Sequence, residues 1–253
     1  MGPAAADDAG WLRIAHLSPD TPAADVTVAP AGSAATAAHE PGLGYGSVSS
    51  WRRLPAGAYT VAVRAAGAGA STGPLLSTRI DLGPGAARTV ALAGRFADLR
   101  LTVQDEDISP PPAGRARVRV VDAASAGPLG VSVAGGPTLA SGLQLAAWGQ
   151  PTEVAAGPAT LAVAAGDAPP SDVPVDLAAG SVTTLLVLDR ADGGLAVRPV
   201  LDAAGPSAVP TGPVQAGGGG TAQRFPLRPL AAVAAGLAGA LLLFSFRPRR
   251  RHR

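Results

Sequence analysis

The chain of 253 residues contains no cysteine, no lysine and no asparagine, and only 4% of it is aromatic. Without cysteine there are no disulfides, thiolate zinc sites, iron–sulfur clusters or cysteine nucleophiles. Without asparagine there is no acceptor for Asn-linked glycosylation. Lysine and asparagine both have A-rich codons. Their joint absence, beside 33 Gly and 25 Pro, reads as a GC-rich genome of actinobacterial type rather than as selection for arginine. With so few aromatics, any core must be built from Ala, Val and Leu, which bury modest area per residue. Disorder does not follow from this composition, because the same codon bias inflates Ala, Gly and Pro.

All twenty basic residues are arginine, and they are unevenly placed. Arg228, Arg247, Arg249, Arg250, Arg251 and Arg253 lie at the end of the chain, while all eighteen acidic residues precede position 227. Up to that point fourteen arginines against eighteen acids leave a net charge of −4. The sequence pI of 9.9 is therefore a property of the tail. The body offers no basic face for nucleic acid, and no nucleic-acid partner is expected.

What the chain does have is a charge-free run, LAAVAAGLAGALLLFSF, from Leu230 to Phe246, followed at once by RPRRRHR. Seventeen residues at about 1.5 Å each reach about 25 Å, the lower limit for a bilayer core. Leu227 and Arg228 extend it if the arginine snorkels. A polybasic block stays on the cytoplasmic side, so the expected arrangement is body outside and basic tail inside. A buried core helix is the competing reading, weakened by a segment that is apolar all round. MGPAAADDAGW is not a signal peptide; an outside body calls for a signal upstream of it, or else only the tail inserts. Asp202 to Pro226 is rich in Pro and ends in four glycines before TAQRFP, which reads as a stiff stalk and a swivel.

The body repeats. LPAGAYTVAVRAAG at Leu54 recurs as VAAGPATLAVAAGD at Val154, IDLGPGAARTVALAGR at Ile80 as VDLAAGSVTTLLVLDR at Val175, and LRIAHLSPD at Leu12 as VRVVDAASA at Val118. Three segments in order, with drifting offsets, indicate duplication of one domain of about 90 residues. Inside each copy apolar residues alternate, as at Tyr59, Val61 and Val63, and Gly/Pro turns punctuate the runs. The first copy offers about seven short strands, near 11–17, 25–29, 48–54, 58–65, 75–82, 87–93 and 98–104. The expected fold is all-β: two tandem immunoglobulin-like or transthyretin-like antiparallel β-sandwich domains plus one C-terminal transmembrane α-helix. The expected layout is an N-terminal extension 1–10, a first sandwich 11–108, a linker 109–114, a second, diverged sandwich 115–201, a stalk 202–226, a span 227–246 and a cytoplasmic tail 247–253.

RIAHLSPDTPAADVTV, with YGSVSSWRRLPAGAYTVAVRAAG and FADLRLTVQDEDISPPPAGRARVRVVDA, resembles the bacterial family known as domain of unknown function 4397. Arg13, His16, Ser18, Pro19, Asp20, Pro22, Asp25 and Val26 match that family's usual opening. The resemblance implies an exported or surface protein, often carrying tandem copies, and it implies no activity. The second copy departs from the motif: Asp122 stands in place of His16, and only Ser125 remains of SPD.

Two readings of this stretch compete. In the preferred one it is a strand, a turn and a second strand: Asp20 and Asp25 accept backbone N–H groups in Asx-type turns, Pro22 fixes φ, and His16 bonds to the turn. In the other, His16, Asp20 and Asp25 converge on a metal or ligand. A Ser18–His16–Asp20 hydrolase is disfavoured, because residues two apart in a strand lie about 6.5–7 Å from each other. His39, beside Glu40, reads as a solvated loop residue. The QDEDIS acids Asp105, Glu106 and Asp107 read as a solvated linker edge, with a calcium site as the alternative. Trp11, Trp51 and Trp148 read as packing residues, with a sugar platform as the alternative. No catalytic residue and no cofactor is expected. The expected protein is a non-enzymatic surface protein, held to the membrane by its span and meeting an extracellular protein or a cell-wall polymer. The alternative is a glycan- or metal-binding module in the first domain.

Overall fold

A computed structural model describes residues 8–69 and 71–204. The first half of the body contains β1 (Ala9–Leu17), β2 (Ala24–Pro30), β3 (Ala38–Leu43), β4 (Arg52–Pro55), β5 (Gly57–Ala65), β6 (Leu76–Leu82), β7 (Ala87–Ala93) and β8 (Arg100–Glu106). The second contains β9 (Arg115–Asp122), β10 (Leu129–Val133), β11 (Thr138–Leu143), β12 (Thr152–Ala155), β13 (Gly157–Ala165), β14 (Ser171–Leu177), β15 (Val182–Asp189) and β16 (Leu195–Ala203). Their sheets are ordered β4-β1-β7-β8 and β3-β2-β5-β6 in the first half, and β12-β9-β15-β16 and β11-β10-β13-β14 in the second. The same connectivity therefore occurs twice, and each pair of sheets closes on its own apolar core.

Those cores follow from period-two alternation. Leu12, Ile14, Val26, Val28, Val61, Val63, Val90 and Leu92 point into the first. Val118, Val120, Leu129, Val131, Leu161, Leu185 and Val187 point into the second. Each such Val or Leu contributes about 1.5–3 kcal/mol by leaving water. A third apolar cluster lies between the halves. Ala15, Leu17, Ala91 and Ala93, from the opposite face of β1 and β7, meet Val121, Ala123, Ala146 and Leu186 of the second half. The sheet β4-β1-β7-β8 thus packs on both faces. That explains why ALA in β7 and LLVL in β15 read as continuous apolar runs rather than alternating ones.

Four expectations are corrected. Each half has eight strands, not seven: β3 and β11 complete the set, and β3 is an edge strand that tolerates Pro41. The sandwiches are not wholly antiparallel, because β1 pairs with β7, and β9 with β15, in parallel. The chain leaves β1, builds the whole opposite sheet and returns in the same direction, so a long crossover is available to make that pairing. The segment near 48–54 contains only a bridge at Val48 before β4 begins at Arg52. Finally, β16 runs to Ala203, so Asp202 is a strand residue rather than the first residue of a stalk. Among the described residues no helix is long and apolar enough to cross a membrane. The expected stalk beyond residue 204, the expected span 227–246 and the basic tail all lie outside the described residues.

Candidate functional site

The opening motif lies where β1 leaves the sheet. His16 shares its face with Leu12 and Ile14 and is completely buried. Its Nε2 lies 3.2 Å from the Pro22 carbonyl, so that nitrogen donates, while Nδ1 is buried with no partner. Burial holds its pKa below the usual histidine value. The ring is therefore neutral and fastens the loop to the strand. The Ser18 hydroxyl is also buried and meets the Thr21 hydroxyl at 2.6 Å and Asp20 Oδ1 at 3.3 Å.

Asp20 accepts a backbone N–H, but not in a local Asx turn. Its Oδ1 takes the N–H of Phe96 at 2.8 Å, 76 residues away, and so ties the β1–β2 loop to the 3₁₀ turn after β7. Asp25 accepts from Gly42 N at 2.7 Å and Gly67 N at 2.9 Å, clamping two further loops. Those two N–H groups hold its carboxyl below the ordinary value. His16, Asp20 and Asp25 thus have three separate sets of partners. Among the described residues, no group of three His, Cys, Asp or Glu is placed to hold a metal ion. His39 is exposed, but it sits in β3 opposite Thr27 rather than in a loop.

The second half closes the same end with different atoms. Asp122 occupies the place of His16: its N–H bonds to Ala147 O as that of His16 bonds to Ser47 O. It is fully buried, with Oδ1 accepting from Ala124 N at 2.9 Å and Oδ2 unpartnered. Burial pushes its pKa up to about 6. The tie from strand end to neighbouring loop is reversed. Here the acid is Asp189, on β15, and it accepts from Ser125 N and Ser125 Oγ.

The strongest concentration of polar chemistry lies at the seam between the halves, and the sequence reading missed it. Arg13, on the outer face of β1, is 3% exposed. It donates from Nε to Thr89 Oγ1 at 2.8 Å, from Nη1 to Asp202 Oδ1 at 2.5 Å and from Nη2 to Glu106 Oε1 at 3.2 Å. Arg119, at the corresponding place on β9, reaches back to Glu106 Oε2. Thr89 donates to Glu106 at 2.5 Å and Thr184 to Asp202 at 2.6 Å. Each half therefore supplies one Arg, one Thr and one carboxylate. Each arginine pairs with the other half's carboxylate, in the reciprocal manner of a two-fold interface. Two positive and two negative charges close on themselves. For Asp202 burial raises the pKa, against the downward pull of Arg13 and Thr184.

Trp51 and Trp148 cap this cluster. The Arg13 guanidinium lies 4.4 Å from the Trp51 ring centroid and that of Arg119 4.8 Å from the Trp148 ring. They are not equivalent positions. Backbone bonding pairs Gly46 with Ala146, so Trp148 stands where Val48 does. Trp51 Nε1 also donates to the Asp202 carbonyl at 3.0 Å, whereas Trp148 Nε1 and Arg119 Nε are buried without partners. At the other end of the seam Tyr45 Oη donates to Ala123 O and accepts from Asp189 N, both at 2.8 Å, and burial raises its pKa to about 12. The next residue, Gly46, has φ +76°, and a Cβ there would come within 3.0 Å of Leu188 across the seam.

Glu106 is accordingly not a solvated linker residue: it is the shared acceptor of both arginines. Its neighbours are exposed, with Asp105 paired to Arg88 and Asp107 to Arg117. A signal for this was present. Arg13 falls at an outward position of β1, a strand that is otherwise mostly apolar and buried on both faces.

Among solved structures the chain is similar to the Bacillus anthracis TIE protein, at 11% identity and a TM-score of 0.24 over 71% of this chain and 34% of that one. It thus spans about a third of that relative's length. It is also similar to a family 26 carbohydrate-binding module, CBMbc of Eubacterium rectale Amy13K in complex with maltoheptaose (10% identity, TM-score 0.28, 78% of this chain and 98% of that one). A third similar structure is a leucine-rich repeat protein from Bacteroides thetaiotaomicron (13%, 0.19, 70% and 26%). No curated protein matches the chain. The model of the family described as Domain of unknown function (DUF4397) matches residues 10–132, from β1 through β10, and that segment of the chain belongs to the family.

Proposed function

We propose that the protein is a non-enzymatic cell-surface protein, whose two sandwiches are diverged copies of one immunoglobulin- or transthyretin-like domain fused into a single body. The body stands outside the cell on the Pro/Gly-rich segment, and the apolar run ending at Phe246 holds it, with the basic tail inside. Its role is adhesion, envelope organisation or ligand presentation. One observation carries this reading: the side chains that could do chemistry are engaged in construction. Ser18, His16, Asp20 and Asp25 hold loops, and Arg13, Glu106, Arg119 and Asp202 hold the two halves together.

Protease added to intact cells tests the topology. It should remove the body and leave a small anchored fragment; a body protected until lysis overturns the outward orientation. Replacing Arg249, Arg250 and Arg251 with Ala should weaken retention of the tail on the cytoplasmic side.

A second reading, a glycan- or metal-binding module in the first sandwich, is favoured by one feature. The outer face of β2, β3 and β5 forms a shallow depression of about 740 Å³ lined by Asp25, Thr27, His39, Thr60 and Arg64. A thermal-shift screen with cell-wall polymers and divalent ions decides between the two. A stabilisation that disappears in an Arg64→Ala variant would favour the binding module.

A further inference from the structure

We infer that the end of the second sandwich carries a pocket for a p-hydroxyphenyl group supplied by another molecule. In the first sandwich Tyr59 fills this place. It is 4% exposed, packs in the core with Val28, Leu54, Ile80 and Leu82, and donates its hydroxyl to the Pro55 carbonyl at 2.7 Å. The strand registers identify the corresponding residues. Tyr59 pairs with Ile80 and Gly57 with Leu82, as Ala159 pairs with Val175 and Gly157 with Leu177. Val28 pairs with Val61 as Val133 pairs with Leu161. Tyr59 therefore becomes Ala159, Ile80 becomes Val175, Leu54 becomes Val154 and Pro55 becomes Ala155.

These four changes remove volume and none introduces a polar side chain; Leu161 in place of Val61 adds one methylene. The result is an open-mouthed pocket of about 540 Å³ lined by these same residues, Val133, Val154, Ala155, Ala159, Val175 and Leu177, with Pro and Gly turns around them. That volume suits a small organic group. Val28, Tyr59 and Ile80 are buried in the first sandwich, whereas Val133, Ala159 and Val175 are only half-buried in the second. Three apolar walls are left without the ring that covers their counterparts, and the Ala155 carbonyl stands where the phenolic hydroxyl found its acceptor. The chain has two tyrosines, and both are placed elsewhere: Tyr59 in the first core and Tyr45 at the seam. The ring must come from another molecule.

The test is a titration of the full chain, in detergent and methyl-labelled at Val and Leu, with p-cresol, toluene and the tripeptide Ala-Tyr-Ala. Saturable shifts of the Val154, Val175 and Leu177 methyls on p-cresol are expected. Toluene, which cannot reach the carbonyl acceptor, should bind about tenfold more weakly. A tripeptide that binds more tightly than p-cresol assigns the ring to a protein partner; one that binds more weakly assigns it to a free phenol. Ala159→Tyr should raise the melting temperature by filling the space and should abolish the shifts, and Ala159→Leu should weaken them. In the first sandwich, Tyr59→Ala should gain a p-cresol-dependent rise in melting temperature. No saturable shift in the parent, or equal binding by Ala159→Tyr and parent, overturns the pocket. Toluene binding as tightly as p-cresol overturns the phenolic assignment.

Discussion

His16 and Asp122 occupy the same place in the two halves and respond oppositely to pH. The Asp122 pKa is raised from an ordinary 3.8 to about 6 by burial. The native state therefore binds this proton more tightly than the unfolded chain, and its stability falls as pH rises from about 4 to 6. The full penalty above pH 6 is on the order of 3 kcal/mol. Burial lowers the His16 pKa below 6.5, so its contribution is present above that value and is lost as pH falls through the folded-state pKa. Asp122→Asn keeps the acceptor for Ala124 N and removes the ionisation. It should stabilise the protein at pH 7.5 by about 1–3 kcal/mol, and denaturant melts at pH 4 to 8 should lose their downward limb. A variant that keeps the parent's profile would place the titration elsewhere. Asp20→Ala strands the Phe96 N–H at a partly solvated site. It should cost about 0.5–2 kcal/mol, measured by the same melts.

The strands were largely legible because period-two alternation marks one-sided burial, and β2, β5 and β6 all show it. Partner direction was not legible, because alternation records which face is buried and not which way the neighbour runs; β1 beside β7 is the case in point. β3 was missed because AHEPGL, with Pro41 and Gly42, carries the composition of a turn. The loop role of the opening motif could be read from its Asp and Pro residues. The reach of Asp20 to Phe96 could not, since it depends on two strand ends lying side by side. Arg13 and Glu106 are 93 residues apart in sequence, and only the strand order β1-β7-β8 within one sheet brings them together. Glu106→Gln removes one charge from a dry cluster of four. The loss should be about 3–5 kcal/mol, because an arginine is then left buried and unpaired. A double-mutant cycle of Arg119→Met with Glu106→Gln should give a coupling of about 0.5–3 kcal/mol, since the residues are in contact. Additive losses would mean that the pair is incidental.

At the scale of the molecule, the two sandwiches share a buried seam instead of hanging on a linker. Its centre is small and apolar, with Ala15, Ala91, Ala93 and Ala123. Its reciprocal ion pairs fix register where alanines alone would allow sliding. Domains joined only by a flexible linker melt independently, whereas halves that share a core unfold together. Differential scanning calorimetry of residues 1–210 is the most direct measurement of that fusion. One transition is predicted, with calorimetric and van't Hoff enthalpies equal, and Glu106→Gln should lower it as a whole. Two separate transitions, with Glu106→Gln leaving both midpoints unchanged, would contradict the account.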